Sequence, residues 1–134
     1  MEWGGPSSQV VIVDWHVVRD EASAKVFADK LMTAGRGAYG YNSISNAIDF
    51  SVAMVEGNTF EGTRKIIDVS GAGPNIGGRP LEAARRDALA KNFTINALAI
   101  RRPGGRPGGP GGMPLEDYYG QSVIGGPGAF VEVA

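Results

Sequence analysis

The stretch Lys65–Ile100, KIIDVSGAGPNIGGRPLEAARRDALAKNFTINALAI, decides the fold. Lys65–Val69 is a short run rich in β-branched residues, the composition of a strand. A glycine-rich turn, Ser70–Gly78, follows it, and then Pro80, which suits the first turn of a helix because the N–H it lacks would be unpaired there. That helix is expected to run to about Lys91, and Phe93–Ile100 is again apolar and short enough for a strand. Strand, turn, helix and strand make a βαβ unit, whose strands are expected to be parallel neighbours joined by a right-handed crossover. The fold class is therefore α/β.

Upstream, Gln9–Val18, QVVIVDWHVV, reads as a strand after a Gly/Pro/Ser turn at Gly4–Ser8. Asp20 is placed to cap a helix running to about Thr33, with Ala24, Phe27, Ala28 and Leu31 on one face and Gly35 and Gly37 ending it. Asn42 or Ser43 caps a second helix, whose Ile44, Ile48, Val52 and Val55 form a core-facing stripe before Gly57-Asn58 stops it. Downstream, Arg101–Pro114, RRPGGRPGGPGGMP, has no apolar periodicity and reads as a flexible surface loop. A short helix near Leu115–Tyr119 and a last strand within Ala129–Val133, after Gly125–Gly128, complete the chain.

The 134 residues form one domain's worth of chain, 43% hydrophobic and 20% charged, enough to build a core. A formal net charge of -1 gives no bulk attraction to nucleic acid or an anionic membrane. No apolar run approaches the roughly 18–20 residues of a membrane span, so direct insertion is not expected. With no cysteine, disulfides, thiolate metal sites and thiol nucleophiles are excluded.

The turn Ser70–Gly78 lies where backbone amides could attract phosphate, but its spacing is wrong for the known cradles. Gly71 and Gly73 begin a G-x-G-x-x-G pattern whose third position is Ile76, and after Gly73 and Gly78 come Arg79-Pro80 in place of Lys-Ser or Lys-Thr. His16 is the one histidine, which rules out a multi-histidine metal cage, and no G-x-S-x-G elbow occurs. Asp14, Asp49 and Asp68 sit in apolar surroundings along the sequence, and Asp68 is read as accepting hydrogen bonds from nearby turn amides. Tyr39, Tyr41, Tyr118 and Tyr119, with Trp3 and Trp15, are candidate anchors for a protein partner or ordinary packing residues.

Four segments in order carry a family resemblance: MEWGGPSSQ (Met1–Gln9), NSISNAIDF (Asn42–Phe50), IIDVSGAGPNIGGRP (Ile66–Pro80) and VIGGPGAF (Val123–Phe130). The chain resembles a bacterial family of von Willebrand factor type A-like proteins of unassigned function. The resemblance implies a Rossmann-like, doubly wound, mostly parallel sheet with helices on both faces. It also implies a divalent-cation site built from a D-x-S-x-S motif, a threonine and an aspartate. Here the D-x-S-x-S motif is absent, the threonine position is Asn42, and the aspartate position is Ala72, which has no ligating atom. The metal site is expected to be degenerate and no cofactor is expected.

The chain begins inside what resembles the family's second strand, so the resemblance implies a sheet lacking its central first strand and leaving edges open to another strand. Met1 is equally readable as an internal methionine of a longer protein with a leader, and the resemblance points to an exported or periplasmic setting. The expected function is a non-enzymatic protein–protein interaction module or structural subunit of a larger, membrane-associated complex, completed by a partner or by self-association. Its expected contact surface comprises Tyr39, Tyr41, Asn42, Ser43, Ser45, Ser70, Pro74 and Asn75. The alternative is a small-ligand or nucleotide-binding α/β protein using the amides of Ser70–Gly78.

Overall fold

The structure, a computed structural model, describes residues 1–101, 104 and 107–134. In chain order the elements are β1 (Glu2–Trp3), β2 (Gln9–Val10), α1 (Glu21–Thr33), α2 (Ile44–Glu56), β3 (Lys65–Gly71), α3 (Leu81–Ala90), β4 (Phe93–Ala99), α4 (Leu115–Ser122) and β5 (Val131–Val133). The βαβ unit forms as expected: β3 and β4 pair in parallel from Lys65 opposite Phe93 to Gly71 opposite Ala99. The Gly/Pro-rich segment falls partly on Arg102, Pro103, Gly105 and Arg106, which lie outside the described residues. Of its remainder, Gly109–Met113 closes on itself, with Gly109 N–H donating to Met113 O at 2.9 Å.

The sheet order β3-β4-β5, all parallel, puts β4 in the middle. Burial agrees with that position. All but one residue of β4 is buried, the pattern of a strand covered on both faces and paired at both edges. β3 instead alternates, with Ile67, Val69 and Gly71 buried and Ile66, Asp68 and Ser70 exposed. Ile44, Ile48 and Val52 of α2, Ala84 and Ala88 of α3, and Leu115 and Tyr119 of α4 pack with the buried strand residues into one core. The small Ala84 and Ala88 let α3 lie close to α2, and the α2 stripe read from the sequence faces inward as far as Val52, with Val55 half buried.

Three expectations are corrected here. Gln9–Val18 is not a continuous strand, because only Gln9–Val10 pairs, antiparallel with Glu2–Trp3. Residues 11–18 run without a strand partner, and β-propensity without a partner leaves backbone N–H and C=O groups to solvent. The helix after Asp20 forms, with a reciprocal capping box between Asp20 and Ser23, but none of its residues is buried. Ala24, Phe27, Ala28 and Leu31 share a face that meets no core. Finally, the expected last strand shortens to Val131–Val133, while α4 runs three residues beyond Tyr119 to Ser122.

The carboxylates also differ from expectation. Asp68 accepts from Asn96 Nδ2 at 2.9 Å, its neighbour across the β3–β4 ladder, and not from turn amides. Asp49 is a surface group 3.5 Å from Arg79 Nε, and Asp14 accepts from the N–H of Trp15 at 2.7 Å while exposed. Sequence-local apolar neighbours did not translate into burial for any of the three.

Candidate functional site

At the end of the sheet where β3 finishes, two loops meet. The first, Gly37–Ser43, is clamped by the N-terminal hairpin. The Glu2 carboxylate accepts from the N–H groups of Gly37 at 2.6 Å and Ala38 at 3.0 Å, and Ser8 Oγ accepts from Tyr39 N–H at 2.8 Å. Gly5 N–H donates to Tyr39 O, and Ser43 N–H donates to Gly4 O. This approach needs glycine at Gly4, because a Cβ there would overlap the carbonyl of Tyr39. The loop backbone is thus fixed while the side chains of Tyr39 and Tyr41 stand 62% and 77% exposed.

The second loop, the turn after β3, is tied to the first. Ile76 N–H donates to Asn42 O, and Asn75 Oδ1 accepts from Ser45 N–H at 3.0 Å. Asn75 therefore caps α2 from another part of the chain, since Ser43, the cap residue in sequence, makes no side-chain cap bond and donates its hydroxyl to Asn46 Oδ1 at 2.8 Å. The turn is held from below as well: Tyr119 OH donates to Gly73 O at 2.9 Å and Asn75 N–H donates to Tyr118 OH at 3.2 Å. Burial pushes the Tyr119 phenol up to about 12, so it remains a donor across the neutral range.

This geometry sorts the candidate contact residues. Tyr39 and Tyr41 are exposed, Asn42, Pro74 and Asn75 are half buried at the surface of the paired loops, and Ser70 is exposed on β3. Ser43 and Ser45, expected at the contact surface, are fully buried and belong to the frame beneath it. Asn75 stands among the contact residues expected from the sequence, but its role as a remote cap of α2 has no local spacing to betray it. The hydroxyl of Ser45 is buried without a hydrogen-bond partner and lies close to Gly78, beside Ser43 Oγ and Asn46 Oδ1.

Two of the turn amides are already engaged. Those of Asn75 and Ile76 are consumed by Tyr118 and Asn42, and Arg79 and Pro80 separate the turn from α3, which starts at Leu81. Cation chemistry fits no better. The converging oxygens of Ser43, Ser45 and Asn46 are neutral, Ala72 offers none, and a hard divalent ion needs carboxylates to offset its dehydration. Among the described residues, no group of three or more His, Cys, Asp or Glu gathers to hold a metal.

The clamp is pH-sensitive. The two backbone N–H bonds, from Gly37 first, hold the Glu2 carboxyl below its ordinary 4.5. A carboxyl lowered in the folded state adds stability above its unfolded value and loses it as pH falls through the folded one. The amide resonances of Gly37 and Ala38 are therefore expected to titrate together below pH 4.5 in NMR spectra, and Glu2→Gln should flatten that titration. A midpoint at or above 4.5 would contradict the clamp.

Beside these loops, along the outer side of β3, runs a cleft of about 720 Å³. Its walls are β3 from Ile66 to Gly71, the N-terminal residues Met1, Glu2 and Trp3, Asn42, the α2 residues Ala47, Ser51, Met54 and Val55, and, from the unpaired segment, Val11, Val13, Asp14, Trp15, His16 and Val18 with Phe27. His16 lines it next to Phe27, with ring centroids 6.1 Å apart.

A sequence model of the DUF1194 family, described as protein of unknown function, matches residues 1–134, and the chain belongs to that family. No curated protein and no solved structure matches the chain.

Proposed function

We propose that this chain is a non-enzymatic protein–protein interaction module, or a structural subunit of a larger assembly, that works through its sheet-end loops. The observation carrying this reading is the pair Tyr39 and Tyr41, exposed on a loop whose backbone is pinned by Glu2, Ser8 and Gly5. Large rigid aromatics on a fixed frame lose little freedom on docking, which is why tyrosine is enriched among residues that carry binding energy. A von Willebrand factor A-like sheet with a degenerate metal site is the finer form of the proposal. The parallel βαβ unit and the neutral residues at Asn42 and Ala72 support it. Completion of the sheet by a partner, in an exported or membrane-associated complex, belongs to the same proposal.

Two measurements test it. In quantitative affinity capture from the native lysate, Tyr39→Ala with Tyr41→Ala should reduce recovered partners at least tenfold while the circular dichroism stays unchanged; an unchanged capture profile would sink the reading. In a thermal-shift panel, magnesium, phosphate and nucleotide should leave the midpoint unmoved. A rise with phosphate or nucleotide would favour the small-ligand alternative, and a rise with magnesium would overturn the loss of the metal site.

A further inference from the structure

We infer that α4 sets the position of the tyrosine loop, acting through the turn after β3. This deepens the interaction-module reading, on which it rests, by naming what controls the same surface. Gly73–Ile76 is held from two sides at once. From α4, Tyr119 OH donates to Gly73 O at 2.9 Å and Tyr118 OH accepts from Asn75 N–H at 3.2 Å. Toward the loop, Ile76 N–H donates to Asn42 O and Asn75 Oδ1 accepts from Ser45 N–H at 3.0 Å. Asn42 follows Tyr41 directly, so a chain of hydrogen bonds runs from α4 to the residue beside an exposed anchor.

The linkage has little slack. A Cβ at Gly73 would lie 2.6 Å from Asn42 Nδ2, and one at Gly71 would lie 2.5 Å from Tyr119 OH, so both neighbours approach the turn backbone at contact distance. Contacts this close pass a displacement on rather than absorb it. The two ends of the tyrosine loop are held differently. The hairpin fixes the first end, through Glu2 to Gly37 and Ala38 and through Ser8 to Tyr39. The second end, Asn42–Ser45, takes two ties from the turn and one, through Ser43 N–H, from Gly4. Asn75 is therefore a positioning residue: its backbone is tied to α4 and its side chain caps α2. A shift of α4 reaches Tyr41 more strongly than the first end of the loop.

Amide hydrogen exchange by NMR on the 134-residue chain tests this without a partner. Tyr118→Phe keeps the ring and removes the hydroxyl. It should speed exchange at Ile76 and Ser45 about fivefold, the effect of one net hydrogen bond. Gly37 and Ala38, held by Glu2, and Ala97 in β4 should exchange as before. In the same variant the Tyr41 resonances should shift more than those of Gly37 and Ala38. Asn75→Ala should speed exchange at Ser45, and Asn75→Asp, which keeps an acceptor at the cap, should restore its protection. Unchanged exchange at Ile76 and Ser45 in Tyr118→Phe, an equal rise at Ala97, a Tyr41 shift no larger than that of Gly37, or no rescue by Asn75→Asp would each overturn the inference. Capture with Tyr39→Ala and Tyr41→Ala reads the contact surface while exchange reads the linkage, so failure of one is distinguishable from failure of the other.

Discussion

Gly78→Ala is expected to destabilise the protein by about 3 kcal/mol or more, close to the largest effects single substitutions produce. Gly78 has a φ of +80°, a conformation costly for a residue with a Cβ. The added carbon would also lie inside van der Waals contact with Asn46 Oδ1 and within 2.6 Å of Ser43 Oγ, both packed at the start of α2. Ser43 cannot withdraw cheaply, because it is buried and the following residue, Ile44, is in the core. With an m-value of about 1–3 kcal/mol/M, the urea midpoint should fall by at least about 1 M. Gly35→Ala, where nothing lies within 4 Å of the new Cβ, is the control and should stay within about 0.5 kcal/mol of wild type. Equal midpoints for the two variants would contradict the packing of the paired loops.

The second large effect is alkaline. Tyr119 titrates at 10.0 in an unfolded chain and at about 12 when folded, chiefly because burial disfavours the phenolate. Between those values the folded state holds the proton that the unfolded state releases, so stability is complete below pH 10 and falls as pH rises toward 12. A hundredfold difference in proton affinity corresponds to about 2.7 kcal/mol at full expression. Tyr119→Phe should lose about 1–3 kcal/mol at neutral pH, because the buried Gly73 carbonyl loses its donor. The same variant should lack this part of the alkaline decline. Urea midpoints of both proteins across pH 10 to 12 measure the difference, and parallel declines would contradict the burial and bonding of Tyr119.

The sheet's middle was legible in the sequence because local signals agreed there. KIIDV and FTINALAI have strand composition, Pro80 marks the helix between them, and the three elements form where expected, with shifts of one or two residues at their ends. The α2 stripe was legible for the same reason, since a spacing of three and four residues is fixed by the helix itself. Asp20 marked the start of α1 through its capping box, a contact made within four residues.

Burial and pairing were less legible, because they depend on what lies opposite. Phe27 and Leu31 sit at core-like spacings on a helix that meets no core, and Val11–Val18 has strand composition without a strand to pair with. The candidate site divides in the same way. Tyr39 and Tyr41 could be picked as exposed aromatics of a loop, but the clamp through Glu2, about 35 residues away, follows from tertiary approach alone. Ser43 and Ser45 look in the sequence like surface hydroxyls at a helix start; the fold places them beneath Gly78 and leaves the capping to Asn75.

Hydrogen exchange on the chain alone tests most directly whether β3 ends the sheet. Amides of β4 and the β3 amides that face it should be protected together, near the global stability, while the β3 amides facing the cleft and those of Val11–Val18 should exchange orders of magnitude faster. Uniform slow exchange along both edges of β3, with matching protection in Val11–Val18, would show the edge already paired and contradict the place of β3 at the edge of the sheet.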